Sequence, residues 1–232
     1  MRKLSVAIAA TAMTLAITVV AASATPLTLI GPIVGNVVGP QSTSNPCVIC
    51  GTTAQNPANF GYNNFTESGN ISSYNMFSTN PTATVPDGTQ GTPYLVSLIN
   101  SVTNSKPFDI AIDVNTTGAH SETLQLFEVI DVHNGVQTVL YNYVGPTLIG
   151  NVNNNGNGFA DWLLASIDLS SLPTTDGILF HATWNNAVDG AESFFIVGAP
   201  SSPPPIPEPF TLSVFGAGLI GAVAMRRRKI KA

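Results

Sequence analysis

Few residues of this chain have both the type and the spacing for chemistry. Cys47-Val48-Ile49-Cys50 is its only cysteine pair. Such a pair can attach haem, cycle between thiol and disulfide, supply half of a zinc site, or close a short disulfide. Haem attachment needs a histidine next, and Gly51 stands there. A thioredoxin-like site needs the first cysteine at a helix start, where the dipole stabilises the thiolate. Pro46 and Gly51 instead bracket this pair in a loop-rich stretch. Zinc would need two more ligands, and His120, His133 and His181 are all distant in sequence. A local Cys47–Cys50 disulfide formed on export is the leading reading. Redox use, metal binding and intermolecular pairing stand behind it.

Asn151, Asn153, Asn155 and Asn157 alternate, with Gly156 between them and Asp161 beyond. Calcium loops place oxygen ligands at alternate positions around a glycine turn. The twelfth position counted from Asn151 is Trp162 rather than an acid, so a flexible Asn/Gly loop is the simpler reading. Asp189 with Glu192, or Asp109 with Asp113, are weaker candidates for a structural calcium site. No serine stands in a G-x-S-x-G nucleophile elbow. Acid pairs of glycosidase type arise by chance among so many carboxylates. The expectation is a protein without a catalytic role and without a cofactor; the alternative is a carbohydrate- or calcium-binding β-sandwich module in a polysaccharide matrix, and a secreted glycan-active enzyme ranks below both. Trp162, Trp184 and Tyr141 would form a sugar platform if they faced outward, but Trp184 shares a strand face with Ile178 and Phe180 and is expected in the core.

Most of the basic residues lie at the two ends. Of eight, only Lys106 lies between residues 25 and 206, against 12 of the 13 acids, so that segment carries 1 − 12 = −11 before histidine. It cannot neutralise a phosphate backbone, which argues against nucleic acid as a partner. Cations, neutral sugars and surfaces remain. The segment is rich in Asn, Thr, Ser and Gly, a composition suited to strands joined by long turns.

The elements that must position these residues read as strands. Residues 25–59 form a loop-rich lead-in holding Cys47 and Cys50, with a strand at 27–30. Residues 93–99 are a candidate strand. Phe108, Ile110, Ile112 and Val114 share one face of another, and 124–130 is apolar enough to be central. His133-Asn134-Gly135 supplies an Asn-Gly turn into a strand over 136–144, making a hairpin. Residues 162–169 form a further apolar stretch. Ile178 to Trp184 alternates cleanly, and 193–197 ends the series. With no amphipathic helix between them, these strands predict an all-β fold, an antiparallel β-sandwich over 60–199. The second half, through the Asn/Asp-Gly loop and paired aromatics of 185–195, resembles the jelly-roll-like regions of exported surface proteins. Long ranks of regularly spaced threonine, as on flat ice-binding faces, are absent.

The two ends carry addresses. Arg2 and Lys3 precede an uncharged stretch from Leu4 to Ala22, closed by Ala22-Ser23-Ala24. This is the pattern of a signal peptide over 1–24, cleaved by signal peptidase after Ala24. At the other end a Pro-rich spacer over 200–206 leads to Pro207-Glu208-Pro209. An uncharged helix is expected over 210–225, followed by a basic tail over 226–231 with Arg226, Arg227 and Arg228. Sixteen residues make a helix of about 24 Å, short of the ~30 Å hydrocarbon layer, so transient insertion suits it better than a permanent span. The basic tail would stay cytoplasmic. Gly216, Gly218 and Gly221 fit a dinucleotide fingerprint, but the strand and later acid that it needs are missing.

The triplet, apolar helix and arginine cluster of 207–232 resemble the PEP-CTERM sorting signal, also called the ice-binding protein C-terminal domain. The resemblance implies a bacterial protein carried to the cell envelope, surface or extracellular matrix. It also implies processing near the triplet by an exosortase, a membrane-embedded cysteine peptidase, and a setting that usually includes exopolysaccharide, a further candidate partner. It implies nothing about the ligand of the exported domain.

Overall fold

The computed structural model describes residues 23–34, 45–50, 59–61, 69–75, 88–116, 121–153, 159–188 and 192–198. The signal segment before Ser23, the Pro-rich spacer and the C-terminal helix with its basic tail lie outside these residues. In chain order the elements are β1 (Thr25–Pro26), β2 (Thr28–Ile30), β3 (Cys47–Ile49), β4 (Gly69–Tyr74), β5 (Tyr94–Leu95), α1 (Val96–Thr103) and β6 (Phe108–Asp113). They continue as β7 (Ser121–His133), β8 (Val136–Gly150), β9 (Trp162–Ile167), β10 (Gly177–Ala187) and β11 (Ser193–Gly198).

Two sheets face each other. One runs β1-β8-β7-β10-β4, with β5 also pairing β10; the other runs β2-β9-β6-β11-β3. The all-β, two-sheet expectation is met. One departure is that β1 pairs β8 in parallel, while the other ladders are antiparallel. Successive strands mostly change sheets; the long β7–β8 hairpin stays in one. Its turn has Asn134 at φ 50° and Gly135 at φ 79°. Both are the positive values a two-residue hairpin needs, which is why Asn-Gly sits there.

Period-2 alternation builds the core between the sheets. Ile178, Phe180, Ala182 and Trp184 of β10 meet Phe108, Ile110 and Ile112 of β6 in one apolar cluster. Phe194 stacks with Phe127 at 5.3 Å between ring centroids and lies 5.5 Å from Trp184. Phe195, one residue on, turns to the opposite face of the second sheet, where it joins Cys47, Cys50, Ala111 and Val197 in a smaller cluster. That outer face is therefore covered. Asp109 and Asp113, which share it by alternation, are buried as well, and burial raises the Asp109 carboxyl above the usual range.

Two expectations are corrected. The strand expected over 93–99 is mostly helix. Only Tyr94 and Leu95 are extended, and α1 follows because Val96, Ile99 and Thr103 bury one face at helical spacing. The segment ends at Asn104, in the left-handed conformation with φ 55°. The lead-in over 25–59 is not merely loop-rich, since it supplies three strands to the sheets. β1 lies against β8, β2 against β9, and β3 against β11. Leu27, buried between β1 and β2, marks where the chain passes from one sheet to the other.

Candidate functional site

At one end of the sandwich, β6 ends, β7 begins, β10 ends and β11 begins. Glu122 lies two residues before core Leu124, and Glu192 two before core Phe194, so alternation directs both between the sheets. Both are essentially fully buried. Each accepts from the main chain: Val188 N–H donates to Glu122 Oε1 at 3.0 Å, and Asn115 N–H donates to Glu192 Oε2. The two carboxyls are within hydrogen-bonding reach of each other. Burial, then the charge and contact of Glu122, then the nearby charge of Asp113, raise the Glu192 carboxyl well above the usual range.

Asp161 stands beside this pair and has a different role. Its Oδ1 accepts from Val152 N–H at 2.7 Å and Asn153 N–H at 2.9 Å, and its Oδ2 from Val114 N–H at 2.9 Å. Burial raises this carboxyl, and those three bonds oppose the shift. The Asn153 amide donates to the carbonyls of Ile33 and Ala160, and that of Asn151 to Thr116 O at 3.2 Å. Asn151, Asn153 and Asp161 thus brace the loop after β8. Asn155 and Asp189 lie outside the described residues. Among the described residues, no group of three His, Cys, Asp or Glu side chains is arranged to hold a metal ion.

On the outer face of the first sheet, three adjacent strands bring polar groups together. His181 stands opposite Tyr74 on β4 and Glu128 on β7. Its Nδ1 lies 2.9 Å from Glu128 Oε2, and its Nε2 2.9 Å from Ser72 Oγ. The Tyr74 ring stacks on the imidazole at 4.1 Å, and burial followed by the Glu128 charge raises the Tyr74 phenol. A hydroxyl–imidazole–carboxylate chain is the connectivity of an activated nucleophile. Ser72, however, lies inside β4, paired to Thr183, with its carbonyl taken by Gly88 N–H. It is not lifted above the sheet on a sharp turn, and Tyr74 covers the ring. The geometry satisfies both nitrogens of a buried imidazole and ties three strands together.

Cys47 and Cys50 are joined by a disulfide, with 5.8 Å between their Cα atoms. Both are buried, and Cys47 belongs to β3 rather than to a helix start. The redox reading needs an accessible thiolate at a helix N-terminus; neither feature is present. The aromatic platform is not assembled either. Trp184 is in the core. Trp162 lies over Gly31 and donates from Nε1 to Gly150 O at 3.1 Å. Tyr141 Oη donates to Asp168 O at 2.8 Å. A cleft of about 600 Å³ opens beside β5 and α1, lined by Asn59, Thr92, Pro93, Leu95 and Ser101 among others. Its lining carries no carboxylate, imidazole, lysine or arginine side chain. Of the described residues singled out in the sequence for metal, Glu192 is paired with another acid, Glu122. Its partner Glu122, and the Ser72, Tyr74 and Glu128 set, were not anticipated.

The curated proteins and the solved structures contain no match to this chain. A family model, the PEP-CTERM protein-sorting motif, matches residues 205–229. That span includes Pro207, Glu208 and Pro209 and most of the basic tail. A motif of this kind implies export to the cell envelope or surface and targeting to an exosortase. By its C-terminal segment, this is a protein carrying a PEP-CTERM sorting motif.

Proposed function

We propose that this chain is a non-enzymatic protein of the bacterial cell surface or extracellular matrix, made as a precursor and trimmed at both ends. Signal peptidase removes residues 1–24, and an exosortase acts near Pro207-Glu208-Pro209 after the apolar segment has entered the membrane. The observation that carries this reading is the sorting motif over 205–229. The body of the protein supports it in two ways. Its strand order, β8-β7-β10-β4 facing β9-β6-β11-β3, suits a jelly-roll-like sandwich of two antiparallel sheets. Its polar clusters are engaged in holding strands and loops together, as the three donors on Asp161 illustrate.

Among the described residues no helix is long and apolar enough to cross a membrane; the expected segment over 210–225 lies outside them. In the proposed scheme that segment holds the triplet at the outer interface, because Pro209 cannot continue a helix upstream and the arginines stay on the cytoplasmic side. Fractionation of cells with and without the exosortase tests this. The protein should reach the surface or medium in the first and remain membrane-bound in the second. Glu208→Ala should reproduce the second pattern, with the arginines retained. Equal surface delivery in both strains would defeat the proposal.

A further inference from the structure

The carboxyl pair at the end of the sandwich is unlike the other polar clusters of this protein. Glu122, in β7, and Glu192, immediately before β11, lie two residues ahead of core Leu124 and Phe194 at the ends of the two sheets. Glu192 is 1 % exposed. Its Oε2 accepts from Asn115 N–H, but its Oε1 is buried with no hydrogen-bond donor facing it. Within reach of the Glu192 carboxyl is another carboxyl, Glu122, itself anchored by Val188 N–H at 3.0 Å. Asp113, at the end of β6, adds a third negative charge nearby. Among the described residues no lysine or arginine offsets them: the one between residues 25 and 206 is Lys106, which is exposed beyond the end of α1. Two acids facing each other in a dry interior are unstable unless a positive species lies between them.

We propose that Glu122 and Glu192 bind a divalent cation of the calcium class between the two sheets. Carboxylate oxygens are hard ligands, and calcium accepts six to eight oxygens in a flexible shell. The two glutamates can supply up to four. The rest would come from main-chain or amide oxygens and water, because no third acidic side chain completes a cluster among the described residues. The ion would tie the start of β7 to the start of β11, and so one sheet to the other where the apolar core ends. Protons are the competing species: without metal, one proton shared by the pair does the same electrostatic work. The inference does not depend on exosortase processing.

The test uses the full chain, purified with its C-terminal segment in detergent and stripped with chelator. Calcium chloride is titrated at pH 7.5 while Tm is followed, and binding is measured by calorimetry. A site with Kd of order 10⁻⁴ M should raise Tm by several degrees at about 100 times Kd. Glu192→Gln should abolish that shift while itself raising the metal-free Tm, because the amide N–H₂ can donate to Glu122. Glu122→Gln provides the same comparison from the other sheet. Saturable binding lost in either variant supports the site. The proposal is overturned if calcium changes neither heat nor Tm, or if both variants keep the full calcium shift. A metal-free Tm that rises on acidification, with no response to calcium, would assign the pair to a shared proton instead.

Discussion

At the scale of single residues, two arrangements that invite chemical readings are better explained as structure, and each makes a prediction. The Cys47–Cys50 bond closes a loop of sequence separation 3, and both sulfurs are buried. A loop this short removes little entropy from the unfolded chain. Replacing both cysteines by serine should therefore cost stability near the low end of the roughly 0–5 kcal/mol range. In the folded wild-type protein, thiol reagents should find nothing until reductant and denaturant are added together; rapid labelling under native conditions would contradict this. The Ser72–His181–Glu128 chain should act as a cross-strand tie. Ser72→Ala should lower stability by about 1 kcal/mol, the usual net worth of one hydrogen bond. A fluorophosphonate probe should leave Ser72 unlabelled, whereas stoichiometric labelling lost in Ser72→Ala would make this an enzyme.

At the scale of elements, backbone geometry limits what the strands tolerate. Gly145 lies where the β7–β8 register shifts between Leu124 and Leu126. A Cβ there would run into the Leu124 carbonyl, with Thr147 N at 2.9 Å and Gln125 O at 3.2 Å. The obstacles are backbone atoms of the paired strand β7 and, at Thr147, of β8 itself, which cannot swing aside as a side chain can. Gly145→Ala should cost about 1–3 kcal/mol, visible as a lower denaturant midpoint; an unchanged midpoint would mean the bulge relaxes freely. Legibility followed the same logic. Strands with clean alternation, such as β6 and β10, and the Asn134-Gly135 hairpin could be read because their signals are local. Strand β4, Gly-Asn-Ile-Ser-Ser-Tyr, is mostly polar and short; its pairing with β10 decides its fate. Helix α1 reads as strand because Val96, Ile99, Val102 and Thr103 are β-branched, and only burial at 96, 99 and 103 reveals its period. Of the carboxyl pair, Glu192 was visible as an acid near a turn. Glu122 could have been found only by asking why an acid takes the place of an apolar residue two before Leu124.

At the scale of the whole molecule, a body of charge −11 with several buried acids sets the pH response. Burial raises the carboxyls of Asp109, Asp131 and Asp161, with the nearby Asp176 adding to Asp131, and burial and Glu122 raise that of Glu192. A raised folded-state pKa means the native chain binds protons more readily than the unfolded one. Stability should then fall as pH rises through those values and recover toward the ordinary carboxylate range of about 4. Asp168, exposed and lowered by its Ser170 hydrogen bonds, acts oppositely, but its contribution is lost only below that range. In chelator, Tm should therefore be higher at pH 5 than at pH 8; a flat or opposite trend would contradict this assignment. In the proposed scheme, trimming at both ends is what would make such a body a surface protein, since the segments expected to enter the membrane lie before Thr25 and after Pro207. Mass spectrometry of the mature protein from cells with an active exosortase tests that most directly. The predicted chain starts at Thr25 and ends near Pro207-Glu208-Pro209. A mature chain that still carries the peptide through Met225 and the arginines would contradict it, and the C-terminal segment would then be a plain anchor.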